Sequence, residues 1–301
     1  MAYALFDRYE RSKDRTVLTP AEHGIPSLRM VGHHQTSRAK APLGEHYHPD
    51  CFEFTYIVQG NLLFQVGDES YSLSGGDLFM TLPDEVHSTG NAPLSLHQMY
   101  WFQLDASHPE RFLFSDPQRA QWIIEALWNL PNRVVRLHSM AEVIFREIFV
   151  DLDADTETGR LQAGYLMDVL LCQILKDSRD AGQAMSQDIS LAVAYIHGHL
   201  RERIALEEVA GAAMLSVPRL KEKFKAETGT SPRNYINFHK IELAKKLLLE
   251  GMSVTDAAME LGFSGSDYFS VVFRRYTLSS PSEFVARARQ DSPEPEAKAR
   301  P

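Results

Sequence analysis

Apolar and polar positions along this chain change their period near residue 105. Residues 52–58 are rich in aromatic and β-branched side chains, and Gly60-Asn61 gives a hairpin signal before the apolar run 62–66. Gly67-Asp68 signals a second turn, and Gly75-Gly76-Asp77 a third before residues 78–82. Residues 94–104 read as a last long strand. Short strands between about 27 and 105, with turns every eight to twelve residues, predict a barrel or sandwich.

Beyond Pro109 the apolar spacing becomes three and four, which predicts helices over 118–130, 137–152 and 159–176. The acidic stretch 151–157 reads as a solvated inter-helix turn. The chain therefore divides into a barrel (1–107), a helical packing region (108–178), a linker (179–186), an all-helical segment (187–290) and a Pro- and charge-rich tail (291–301). The expected fold class is multidomain α+β.

The segment 187–290 contains an internal repeat. Leu206, Val209, Ala210 and Ala213 fall on one helical face, as do Val254, Ala257, Ala258 and Leu261. Each stretch ends in a tight turn with a serine, Ser216 or Ser264, placed to cap the next helix. Leu220 and Phe224 mark the buried side of one following helix. Phe269, Val272, Phe273 and Tyr276 mark that of the other. Thr230-Ser-Pro232 matches Ser279-Ser-Pro281, with proline allowed in the first helical turn. A long amphipathic helix over 232–250 can join the two units rigidly. One amphipathic pair with outward lysines reads as a solvated face. Two matched pairs joined by a third helix read as tandem helix-turn-helix units, whose second helices enter the DNA major groove. Helical wheels then turn Pro218, Arg219, Lys221, Glu222 and Lys225 outward on one helix. Ser266, Asp267, Ser270, Val271 and Arg274 face outward on the other. All but Val271 are candidate base or phosphate readers.

Charge supports this division. The chain carries a net −9, which argues against nonspecific nucleic-acid binding by its whole surface. Residues 186–290, however, hold 14 basic against 12 acidic residues, and residues 1–185 hold 15 against 25. The two parts read as separate functional bodies. No apolar run spans a bilayer and the N-terminus lacks a signal-peptide layout, so a cytoplasmic protein with no membrane partner is expected. Cys51 and Cys172 read as buried small hydrophobes.

In the barrel, His46 and His48 are two apart on a strand and point the same way, while Glu53 and His87 can converge from neighbouring strands. Three imidazoles and a carboxylate suit a divalent transition metal with open positions. They equally suit an internal hydrogen-bond network in a pocket for an organic effector. His33, His34 and His97 read as satisfied strand side chains.

Two resemblances follow. Ala244-Lys-Lys-Leu-Leu-Leu, residues 253–264, Asp267-Tyr-Phe-Ser, Phe273-Arg-Arg-Tyr and Ser280-Pro-Ser-Glu-Phe resemble the AraC/XylS family of regulators across 187–290. That resemblance implies double-stranded DNA as partner, with two recognition helices in successive major grooves of one DNA face. It also implies contact with RNA polymerase, activation, and dimerisation through the helices of 118–177. Val271, Glu222, Pro218 and Leu278 depart from the family pattern, leaving fewer positive groups toward DNA. The second resemblance is to the cupin signature: His46-Tyr-His48, Glu53 and Gly60, then Gly76, Pro83, His87 and Asn91, with the Gly76 to Pro83 interval one residue longer than usual. It implies a cupin-like sensor barrel, with His46, His48, Glu53 and His87 as effector or metal residues.

The expected function is a DNA-binding transcription regulator controlled by a small-molecule effector, a carbohydrate being the class the family analogy offers. The alternative is a metal-dependent cupin enzyme, or a metal sensor, fused to a DNA-binding domain. No phosphate-binding loop, dinucleotide glycine motif or Gly-x-Ser-x-Gly nucleophile motif is present, and no catalytic residue is assigned.

Overall fold

A computed structural model describes residues 4–5, 11–90, 92–137, 140–179 and 185–291. Asn91, residues 180–184 of the expected linker and the tail from 292 lie outside the described residues.

The strands are β1 (Ala4–Leu5), β2 (Arg15–Leu18), β3 (Leu28–Thr36), β4 (His46–Tyr47), β5 (Cys51–Val66), β6 (Glu69–Ser74), β7 (Asp77–Thr81), β8 (His87–Ser88), β9 (His97–Asp105) and β10 (Val134–Arg136). The sheet runs β1-β4-β8-β5-β9-β3-β2, with β6 and β7 also on β5, and β10 on β7. Strand β5 is the spine: its first half pairs with β7 and β9, and its second half with β6 and β8. Its apolar run is nearly continuous because both faces are buried. Phe52, Phe54 and Tyr56 face the covering helices, while Ile57, Leu62 and Phe64 pack inside the barrel with Phe79, Met99 and Trp101.

The hairpin expected at Gly60-Asn61 does not form; β5 runs through it. Gly60 has φ +104°, and a Cβ there would lie 2.2 Å from the Leu96 carbonyl oxygen. With the register shift between Ile57 and Gln59, it bends one strand from the first set of partners to the second. The true hairpin comes at Gly67, φ +56°, where Val66 faces Glu69. Strand β10 falls between the helices expected over 118–130 and 137–152, within the region expected to be helical; its β-branched pair Val134-Val135 was the signal.

Beyond the single turn α1 (Pro20–His23), helices α2 (Pro117–Trp128), α3 (Met140–Asp153) and α4 (Glu157–Asp177) share one core with the outer face of the barrel. Phe145 of α3 stacks on Tyr56 and Tyr100, each with ring centroids 5.1 Å apart.

The C-terminal part is helical: α5 (Gln187–Gly198), α6 (Leu206–Ala212), α7 (Val217–Thr228), α8 (Pro232–Leu249), α9 (Val254–Glu260), α10 (Ser266–Thr277) and α11 (Pro281–Asp291). It has two small cores, and α8 serves both, giving Tyr235 and Ile236 to one and Ile241, Ala244, Leu247 and Leu248 to the other. Ser216, Ser231 and Ser253 cap α7, α8 and α9 by accepting backbone N–H groups. Ser264 does not cap α10. The second turn is one residue longer, so Gly265 takes the cap position and Ser264 stands one place too early. No helix among the described residues is long and apolar enough to cross a membrane.

Candidate functional site

Strand pairing assembles the barrel cluster. His46 is opposite His87 in the β4–β8 pair, and Glu53 lies on β5. One ligand atom from each of His46, His48, Glu53 and His87 lies within 4.8 Å of every other. The Gly44 carbonyl accepts from His46 Nδ1 at 2.7 Å, and the Glu85 carbonyl from His87 Nδ1 at 3.0 Å. Such bonds fix the rings and leave Nε2 aimed inward, as metal-binding imidazoles require. Glu53 stands between His87 Nε2, 3.0 Å from Oε2, and His48 Nε2, 3.3 Å from Oε1. Burial opposes ionisation of Glu53, but His48 and His87 outweigh it and hold the carboxyl well below its ordinary range. Burial, reinforced by His87, lowers His46 to about 4, so that imidazole is neutral and able to ligate at pH 7.

Sequence reasoning missed Gln103, whose Nε2 donates to Glu53 Oε1 at 3.1 Å and whose Oε1 is buried without a hydrogen-bond partner among the described residues. Only its inward parity on β9 could have flagged it. The donor set, its burial and this orphaned acceptor fit a divalent transition metal. The adjoining cavity is about 120 Å3, lined by Phe64, Met99 and Trp101 besides the polar cluster. Cys51 is buried but adds no ligand to the group, and Cys172, expected to be buried, is exposed on α4. His34 and His97 bind each other, Nδ1 to Nε2 at 3.1 Å.

In the helical part, Leu220 and Phe224 of α7 and Phe269, Val272, Phe273 and Tyr276 of α10 are buried. Pro218, Arg219, Lys221, Glu222 and Lys225 are exposed on α7; Asp267, Val271 and Arg274 are exposed on α10, with Ser266 and Ser270 half-buried. Two of these cations are held by acids: Arg219 by Glu222 at 2.8 Å, and Arg274 by Glu283 at 3.3 Å. Lys240, unflagged by sequence reasoning, is buried and donates to the Glu202 and Leu261 carbonyls. Its signal was a lysine at four-residue spacing between Ile236 and Ala244 on an apolar stripe.

The barrel touches the C-terminal ends of both α7 and α10. Gly229, the αL cap of α7, packs on Gly75 of the β6–β7 turn so closely that a Cβ on Gly75 would lie 2.1 Å from Gly229 Cα. Ala39 N–H donates to the Arg275 carbonyl of α10 at 2.9 Å. Between these contacts runs a polar cleft of about 420 Å3.

A barrel joined to two matched helix-turn-helix units defines a DNA-binding transcription regulator. Residues 209–287 match the helix-turn-helix domain family and residues 34–96 the cupin domain family, which bears out the expected pairing of an N-terminal cupin domain with a C-terminal AraC-type helix-turn-helix domain. It is similar to the HTH-type transcriptional activator RhaS of Klebsiella pneumoniae (strain 342), 28% identical over 79% of this chain and 86% of that protein. It is also similar to RhaS of Escherichia coli (strain SMS-3-5 / SECEC), 25% identical over 81% of this chain and 88% of that one. Among solved structures, the C-terminal domain of AraT, a response regulator from Geobacillus stearothermophilus, is 27% identical, covering 38% of this chain and 95% of that one with a TM-score of 0.35.

Proposed function

We propose that this protein is a transcription activator whose hold on DNA is set by a small-molecule effector acting at the barrel cluster. The observation that carries this reading is the contact of one barrel with the ends of both recognition helices, at Gly229 and Arg275. A change in the barrel is thereby transmitted to the pose of both DNA-reading elements. On this reading Pro218, Arg219, Lys221, Glu222, Lys225, Ser266, Asp267, Ser270 and Arg274 form the DNA-reading surface. His46, His48, Glu53 and His87 hold a divalent metal, which supplies a Lewis-acidic anchor for an oxygen ligand. The cavity is smaller than the roughly 300–1,000 Å3 of drug-sized sites, so it takes a small ligand or one end of a carbohydrate. Leu161, Tyr165 and Val169 form an exposed stripe at four-residue spacing on α4, which supports a homodimer through this helix. Activation through RNA polymerase accords with the activator name that the RhaS relatives carry.

Metal analysis of the purified chain, with reporter transcription measured in parallel, tests the reading. We expect about one transition-metal ion per chain, lost in Glu53→Gln and His46→Ala together with the transcriptional response. A response intact in both variants would remove the barrel cluster from control.

A further inference from the structure

Between the two recognition helices lies a saddle of about 540 Å3 that shares only Lys221 with the DNA-reading faces. Its walls come from the loop before α6, the first turns of α7 and α10, and the N-terminal half of α8. Arg203, Lys221 and Arg233 line it, with Asn237, Ser264 and Tyr268 as further polar groups and Glu207 as the one acid among its lining residues. Five other basic side chains of this domain are paired, Arg201 with Glu260, Arg219 with Glu222, Lys223 with Asp188, Lys245 with Glu242 and Arg274 with Glu283, while the exposed Lys225, Lys246 and Arg275 lie outside the saddle. Arg203, Lys221 and Arg233 are exposed and enter no ion pair or hydrogen bond among the described residues. Three uncompensated cations thus converge on one concavity.

The saddle is also held in shape. Lys240, at its floor, donates to the Glu202 carbonyl of the first unit and, at 2.6 Å, to the Leu261 carbonyl of the second. Gly262 has φ +63° and lies so close to the loop before α6 that a Cβ would stand 2.3 Å from Arg203 N. The Arg201–Glu260 pair closes the same seam. Burial lowers Lys240 to about 8, which leaves it cationic at neutral pH and adds positive potential beneath the concavity. The AraC/XylS resemblance implies recognition helices in successive major grooves, and the sugar–phosphate backbone that bridges those grooves then crosses the space between the helices' first turns.

We infer that this saddle seats the DNA phosphodiester backbone between the two major-groove contacts, with Arg203 and Arg233 joining Lys221 as phosphate-binding residues. Such contacts fix register and orientation without reading sequence. The inference rests on the DNA-binding character of the domain, not on the proposed metal or effector.

The test uses the full chain and duplexes that it enriches from a random-sequence pool, together with an unrelated duplex, over a range of salt concentrations. In Arg203→Ala/Arg233→Ala the slope of log affinity against log salt should become shallower by about two, since each lost phosphate contact removes about 0.9. Affinity should fall by a similar factor on every duplex, and the enriched sequences should stay the same. Arg203→Lys/Arg233→Lys should keep the slope. Lys246→Ala removes an exposed cation of α8 that lies outside the saddle, and should leave the slope unchanged. A wild-type slope in the double alanine variant would overturn the inference. So would an equal loss in Lys246→Ala, which would reveal a general field effect, or a changed set of enriched sequences, which would make these residues base readers. Unaltered circular dichroism in each variant ensures that the comparison is between folded proteins.

Discussion

At the scale of single residues, buried imidazoles set the response to acid. Burial, with a contribution from His97, holds His34 down to about 3; burial alone dominates for His97 and His239, each lowered to about 4, against an ordinary 6.5. Between those values the unfolded chain binds more protons than the folded one. Their stabilising effect is therefore complete above pH 6.5 and drains away as the pH falls toward 4. The thermal midpoint should be level above neutrality and decline through that window, and His97→Gln should flatten part of the decline. A midpoint indifferent to pH from 7 to 4.5 would show that these rings are not held neutral. Leu278 shows a different local constraint. It occupies the αL cap of α10 at φ +68°, the same role Gly229 plays for α7 at +64°. The family comparison marks Leu278 as a departure from glycine, and the backbone there still turns left-handed, at a cost of about 1–2 kcal/mol for a side chain with a Cβ.

At the scale of elements, what the sequence made legible was whatever has a period or a repeat. The second-unit helices appear because Val254, Ala257, Ala258 and Leu261 repeat the spacing of the first unit, and the barrel strands because aromatic and β-branched runs alternate with glycine turns. Gly60 was misread because a glycine before an apolar run signals a turn equally well whether the chain reverses or, as in β5, bends onto a second set of partners. Only the proximity of Leu96, far along the chain, decides between them. The His46, His48, Glu53 and His87 set was readable from strand parity, whereas for Gln103 and Lys240 parity and spacing mark only an inward position, since each acquires its role from long-range partners. Lys240 makes the clearest test at this scale. Lys240→Met fills the same stripe but strips the donor from the Glu202 and Leu261 carbonyls. A loss of about 1–3 kcal/mol for each buried acceptor left unpaired is expected in urea unfolding of the chain. Stability equal to wild type would mean that solvent replaces the ammonium without penalty.

At the scale of the whole molecule, the barrel and the helix-turn-helix units meet backbone to backbone. Gly75 and Gly229 leave no room for a methyl group between them, so Gly75→Ala must either push the β6–β7 turn off the end of α7 or break the contact. We expect this variant to keep its barrel fold and its affinity for isolated duplex within a few fold, while transcription no longer follows the state of the barrel; an undiminished response would place the coupling elsewhere. The same contact has a converse. Any free energy by which the barrel's occupant alters the grip on DNA must return, undiminished, as an alteration by DNA of the grip on that occupant. The operator is then itself a ligand that tunes the chemistry of a site inside the barrel. On this view a promoter does more than receive the regulator: molecules seated on it sample the cell's metal and small-molecule pool with a threshold different from that of molecules free in solution, and two promoters of unequal strength would make one protein into two sensors.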